Sequence, residues 1–291
     1  MKEGYIRPKE DNRRFYEKLV PVISATTKVE INGYATRTRQ QLEINGKWAM
    51  WHSVKGGINE DKKDKKASYE ILYNPDGPDK IGEWLKMVPF GARNAEGLEN
   101  RLRDSAVVGK EVLEKSGLTY HAVKLQECVI KTKEGATTYG FTTPHIGPTE
   151  EHILKEMHTY EPDESRIAQE FVERMHATSF KLAAWLYLEH GLWVGDSNPG
   201  NIIASFNGHK VISSFIDFAS RPNRAYNGNV LIKTLDETDV IMEKNLSVLY
   251  KGFKVQADIH KIPFSRGTKE VEEAFTLLLP ERKKELRKSK Y

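Results

Sequence analysis

A chain of 291 residues with 38% hydrophobic and 30% charged residues has the composition of a soluble globular protein, long enough for two units with separate cores. The net charge of +4 gathers in the run Lys62–Lys66 and the tail ERKKELRKSKY; these read as solvated segments, and without zinc-finger spacing or an RNA-reader aromatic run, nucleic-acid binding is not expected. No run of 18 apolar residues occurs, so no membrane span is expected. The start, MKEGYIRPKEDNRRFYEKL, lacks the apolar core of a secretory signal, so a cytoplasmic location is expected.

In chain order, residues 9–19 read as a helix. TTKVEINGYATRTRQQLEINGKWAMWHSV then alternates apolar and polar residues around Asn-Gly pairs at 32–33 and 45–46, which is a hairpin signal, with Trp48 and Trp51 as strand-core aromatics. KGGINEDKKDKKAS reads as a glycine-bearing polar loop, YEILYN as a strand, PDGPDKIG as a turn and EWLKMVPF as another strand. Residues 25–90 therefore form an antiparallel meander. Residues 93–116 read as a helix ended by Gly117, with Leu98, Leu102, Val108 and Val112 near one face.

HAVKLQECVIK and TTYGFTT, around a Glu-Gly turn, follow as strands, and the single cysteine, Cys128, reads as a core residue of the first. One cysteine excludes an internal disulfide framework and a cysteine-rich zinc site. After the linker PHIGPTEE the pattern becomes helical. The best helix, 165–190, carries Ile167, Phe171, Met175, Leu182 and Leu186 along one stripe, and further helical patterns cover about 229–250 and 268–287. His145, His152, His158 and His176 have no metal-ligand spacing and read as structural or exposed. The expected class is α+β: a strand-rich unit with one helix over 1–146 and a helical unit over 147–291.

The stretch GLWVGDSNPGNIIASFNGHKVISSFIDFAS, residues 191–220, carries the candidate chemistry. Residues 202–206 and 210–216 read as strands joined at Asn207-Gly208, and a hairpin brings Asn201 and Asp217 to the same end, with Asp196 on the loop that feeds it. A carboxylate beside apolar strands is costly without a positive partner. Three oxygen-bearing side chains at one hairpin end suit a hard cation, Mg²⁺ shared with a phosphate above all.

Asp196-Ser-Asn-Pro-Gly-Asn201, followed by Ile216-Asp217-Phe218-Ala219, resembles the D-x-x-x-x-N and D-F-G motifs of the protein-kinase-like superfamily. The Pro-Gly-Asn ending is similar to aminoglycoside phosphotransferases, and trimmed chains of this kind resemble bacterial-effector and bacteriophage kinases. The resemblance implies a bilobal fold that binds ATP and Mg²⁺. In it Asp196 orients the acceptor hydroxyl and accepts its proton, while Asn201 and Asp217 hold the metal. It implies a phosphate-binding lysine on the third core strand before the helix, where Lys86 stands. It also implies a phosphate-covering loop at Gly56-Gly57, a hinge for adenine at FTTPHI (141–146), and an acidic helix partner for Lys86. Asp104 is the favoured partner, with Glu99 and Glu111 as alternatives.

Three positions depart from the family: Val194 where a histidine is usual, Ala219 for the last glycine of D-F-G, and no A-P-E afterwards. The expected activity is a kinase, leaning to a protein serine/threonine acceptor. A small-molecule acceptor, AMP transfer, or a partner-binding pseudokinase are the alternatives.

Overall fold

The computed structural model describes residues 5–6, 39–58, 67–77, 82–103, 106, 126–144, 147–190, 193–194, 197–206, 211–215 and 239–289. The helix expected over 9–19 and the Asn32-Gly33 turn lie outside them. The strands are β1 (Tyr5–Ile6), β2 (Arg39–Ile44), β3 (Lys47–Ile58), β4 (Ala67–Asn74), β5 (Glu83–Met87), β6 (Gln126–Lys131), β7 (Thr137–Pro144), β8 (Ile202–Phe206) and β9 (Val211–Phe215). Helices run over 95–103, Glu150–Glu156, Pro162–His190, Asp239–Ile259, Lys269–Glu273 and Leu279–Ser289. The class is α+β. The chain divides into two compact units, one of Ile23–Lys110 and Val123–His145, the other of Met1–Val22, Glu111–Ala122 and Ile146–Tyr291. Among the described residues no helix is long and apolar enough to cross a membrane.

The first unit is a closed antiparallel barrel in the order β2-β3-β4-β5-β7-β6. The sequence predicts the meander; the closure comes from β2, which pairs with β3 on one side and with β6 on the other, through Glu43↔Lys131 and Ile44↔Ile130. A two-residue turn joins β2 to β3, with Asn45 at φ 51° and Gly46 at φ 78°, the left-handed pair that Asn-Gly supplies at least cost. Alternate residues point inward, and Leu42, Ile44, Trp51, Leu72, Leu85, Met87, Cys128 and Ile130 fill the barrel. Each large apolar side chain buried there stabilises the fold by roughly 1.5–3 kcal/mol.

Two expectations change in the barrel. Trp48 is 45% exposed while Trp51 is 1% exposed. The two are three residues apart, an odd spacing that puts them on opposite faces of one strand, so they cannot both be core. Lys55-Gly56-Gly57-Ile58 is not loop but the end of β3, paired with β4 through Lys55↔Ile71, Gly57↔Ser68 and Ile58↔Ala67. The register slips between Ser53 and Lys55 and again between Lys55 and Gly57. Glycines lower the cost of such bulges because they carry no side chain to misplace.

The second unit is built around the helix Pro162–His190. Phe171, Met175, Leu182 and Leu186 of its apolar stripe are buried as expected, and Ile167 is half-buried. Asp239–Ile259 buries Met242, Leu246, Leu249, Phe253 and Ala257, a helical period of apolar residues. Phe180, Tyr250, Phe253, Phe264 and Phe275 pack ring against ring, with centroids 5.4–6.4 Å apart. The helix expected over 268–287 is interrupted by a wider π turn at Ala274–Leu278. Pro280 is the physical reason: it has no N–H to donate and its ring crowds the preceding turn. A three-stranded sheet, β1-β9-β8, completes the unit.

Candidate active site

In the barrel unit, Lys86 lies in the middle of β5, half-buried, with Ile71 of β4 and Phe141 of β7 as its cross-strand partners. Leu85 and Met87 go into the barrel, so the lysine is on the outer face, the one that the helix 95–103 covers. Val88, Leu98, Leu102, Tyr139 and Phe141 form that second core, with Tyr69 packed against it. The Lys86 ammonium stands 4.7 Å from the centre of the Tyr69 ring. The Tyr69 hydroxyl donates to the Leu98 carbonyl oxygen at 3.0 Å.

Among the acidic candidates for Lys86, Glu99 accepts from Arg103 at 2.8 Å. Asp104 and Glu111 lie outside the described residues. Arg103 also lies over the Tyr139 ring at 3.8 Å. Burial first, and the charge of Glu127 second, hold the Tyr139 phenol above its ordinary range. Gly140 of β7 sits opposite Met87, and a Cβ there would stand 2.7 Å from the Lys86 carbonyl oxygen, so this strand contact requires glycine. Gly56 and Gly57 close β3. Of the segment expected as a hinge, Phe141–Pro144 continues β7, and 145–146 lie outside the described residues.

In the helical unit, Asn201 is half-buried at the end of the 3-10 turn Pro199–Asn201. Asn198 caps that turn: its side-chain oxygen accepts from the Gly200 N–H at 2.7 Å, and its carbonyl accepts from the Asn201 N–H at 2.8 Å. A Cβ on Gly200 would stand 2.8 Å from a Glu151 carboxylate oxygen and 3.1 Å from the Asn198 side-chain oxygen. β8 and β9 then pair with Ile202 opposite Phe215 and Phe206 opposite Val211, the hairpin read from the sequence. Asn201 is thus one residue outside the ladder at the end where β9 finishes. Asp196 and Asp217 lie outside the described residues, Asp217 two positions past Phe215 in the chain. Val194, where the family has a histidine, is buried.

The hairpin is tied to the rest of the unit. The Ala204 N–H donates to the Pro148 carbonyl at 2.9 Å, Thr149 bridges to Ile203, and Ser213 shares a hydrogen bond with Ser179 of the long helix. Next to Thr149, Glu150 is fully buried and accepts from His176 Nδ1 at 2.9 Å, while His176 Nε2 meets the Phe253 carbonyl at 3.1 Å. No spacing announces this pair, because the two residues are 26 apart on different helices. Tyr69 was equally hidden, since only strand register puts a β4 residue beside Lys86.

No protein-family model and no curated protein matches the sequence. Among solved structures, the chain is similar to a ROP18 kinase domain in complex with AMP-PNP and sucrose, at 7% identity and TM-score 0.42, over 98% of this chain and 97% of that one. It is also similar to the Mycobacterium tuberculosis PknI kinase domain, at 13% identity and TM-score 0.36, over 81% and 96% of the two chains. A third is a Toxoplasma gondii specific rhoptry antigen kinase domain, at 10% identity and TM-score 0.39, over 98% and 84%. Likenesses this distant assign no residue a role, and the functional reading of this chain rests on its own residues.

Proposed function

We propose that this chain is an ATP- and Mg²⁺-dependent phosphotransferase with a bilobal protein-kinase-like fold, moving the γ-phosphate to the hydroxyl of a protein serine or threonine. The observation that supports it most is the hairpin register Ile202↔Phe215, which leaves Asn201 at the end of the hairpin from which the chain runs on to Asp217. Asn201 and Asp217, the two motif residues the reading needs, are 16 positions apart in the chain, and the reading requires this hairpin to bring them to one end.

The donor set fits the group it is asked to hold. Asn201 and Asp217 offer side-chain oxygen atoms, the chemistry of a hard cation, and both would hold Mg²⁺, which when bound would neutralise phosphate charge. Asp196 would orient the acceptor hydroxyl and take its proton. Lys86 would bind the α- and β-phosphate oxygens as a point charge, and the backbone N–H groups around Gly56-Gly57 would approach phosphate without an intervening side chain. Asp104 is the acidic helix residue proposed to pair with Lys86.

The packing of the aromatic residues between 250 and 275 counts against one alternative, a cationic small molecule held among them. Tyr250, Phe253, Phe264 and Phe275 pack on one another and on Phe180, and Arg266 covers Tyr250 and Phe275 at 4.7 and 3.3 Å. These rings are engaged in packing and do not form a cage for a cationic small molecule.

The test is incubation with γ-labelled ATP and Mg²⁺, with a lysate and a small-molecule panel both offered as acceptors. Wild type is expected to label protein and Asp217→Ala to label nothing. Absence of transfer in every mixture overturns the reading. Label on small molecules alone moves the acceptor, and a product carrying adenylate instead of phosphate moves the reaction.

A further inference from the structure

We propose that Tyr69 is a positioning residue for Lys86, holding the ammonium on its ring face while its hydroxyl anchors to the helix 95–103; this rests on the reading of Lys86 as the phosphate-binding lysine. The register sets up the contact. Ile71 is opposite Lys86, so Tyr69, two residues along β4 on the same face, is its diagonal neighbour, within reach of a long side chain and a ring. The ammonium lies 4.7 Å from the ring centre, inside the range of cation–π attraction, and Lys86 and Tyr69 are both half-buried. At its far end the phenol donates to the Leu98 carbonyl at 3.0 Å, so the ring is pinned to the helix as well as to its strand.

A ring does something for a phosphate-binding lysine that a carboxylate does not. Lysine has a flexible four-carbon stem, and a site needs it in one place. A carboxylate partner fixes it but neutralises the charge the phosphate is meant to meet. The ring quadrupole attracts the ammonium and leaves its unit charge in place. The Leu98 anchor further makes the lysine's position depend on where the helix lies. The helix thus acts on Lys86 through Tyr69, while Glu99 of the same helix is engaged by Arg103 at 2.8 Å.

Two variants separate the ring from the anchor: Tyr69→Phe keeps the ring and loses the Leu98 bond, and Tyr69→Leu loses both. With Mg²⁺-ATP, Tyr69→Leu is expected to lower kcat/KM by about tenfold, and Tyr69→Phe to recover most of that loss. In a Lys86→Met background, Tyr69→Leu is expected to add no further loss, because the two act as one unit. Thermal unfolding of each variant shows that it is folded.

A readout independent of turnover is the ¹³C shift of reductively dimethylated lysines, with Lys86 assigned from Lys86→Arg. Its methyls should show an upfield ring-current shift in wild type and Tyr69→Phe, and lose it in Tyr69→Leu. The inference is overturned by an unshifted Lys86 signal, by Tyr69→Leu turning over like wild type, or by Tyr69→Phe failing as badly as Tyr69→Leu, which would make the Leu98 bond the whole effect. If wild type transfers nothing and binds no Mg²⁺-ATP, the kinase reading falls and this role falls with it. Turnover by wild type with an indifferent Tyr69→Leu removes this role alone.

Discussion

The buried pair Glu150–His176 should be one of the most sensitive points of the helical unit. Both side chains are fully buried, and among the described residues the second carboxylate oxygen of Glu150 accepts no hydrogen bond. His176 is therefore what compensates the burial of Glu150, and it in turn reaches Phe253 of another helix at 3.1 Å. His176→Leu keeps bulk but leaves a buried carboxylate without its partner. Breaking a buried pair on one side costs about 3–5 kcal/mol. For a chain of this size that is a fall of roughly 6–20 °C in Tm. Replacing both members, Glu150→Met with His176→Leu, should recover much of the loss, since the orphaned carboxylate goes too.

The same pair gives a pH dependence of fixed sign. Burial alone would lower the His176 pKa, but the adjacent Glu150 carboxylate and the hydrogen bonds to it and to Phe253 more than reverse this, so it lies above its ordinary value. Burial pushes Glu150 up as well, with His176 opposing. The folded pair therefore holds a proton that the unfolded chain releases near pH 6.5. Its stabilisation is complete below about pH 6.5 and is lost as pH rises through the folded-state pKa of His176. Urea unfolding from pH 6 to 9 measures this. The wild-type midpoint should fall across the series more steeply than that of the double variant. A His176→Leu protein within about 2 °C of wild type, or a midpoint that climbs with pH in wild type relative to the double variant, would refute the reasoning.

Other expectations are simpler to check. Trp51→Ala should cost about 3–5 kcal/mol in urea unfolding and Trp48→Ala about 0.5 kcal/mol or less, because only the first empties the barrel. Gly140→Ala should destabilise by about 1–3 kcal/mol, read as a lower Tm, since its methyl would meet the Lys86 carbonyl and Ile130 Cδ1, both at 2.7 Å. Cys128 is buried, and burial pushes its thiol up to about 12. It should resist alkylation by iodoacetamide in the folded protein at pH 8 and react once urea unfolds it; fast labelling of the folded state would contradict the barrel assignment.

Short-range signals were the legible ones. Asn45-Gly46 fixes its turn because two left-handed residues are needed in succession, and the β8–β9 hairpin follows from two apolar segments with a turn between them. Helix 165–190 was legible from its stripe alone. What sequence could not reveal depends on pairings between distant segments. Closure of the barrel needs β2 to meet β6, some 90 residues on, and neither strand's pattern names the other. Trp48 and Trp51 both read as core in the sequence because aromatics in strands usually are; counting parity along β3 separates them.

The candidate site divides along the same line. Lys86 is found in sequence only by its rank among strands, and the structure adds the face it uses: Leu85 and Met87 go inward, and Lys86 is left on the helix side with Tyr69 and Phe141. Rank says which residue carries the charge, and register says what stands next to it. The partner expected from the helix was acidic, whereas the neighbour that register delivers from β4 is a ring. Both can serve one lysine, and they make different demands. An acidic partner ties the lysine's charge to the ionisation of a carboxylate, while a phenol ring holds it equally well at any pH below the phenol's own range. If Tyr69 is the main support, the loss in kcat/KM caused by Tyr69→Leu should be the same at every pH between 5 and 8. A loss that is small at pH 8 and grows as the pH falls, where a carboxylate becomes neutral and can no longer hold the lysine alone, would make a carboxylate its main partner.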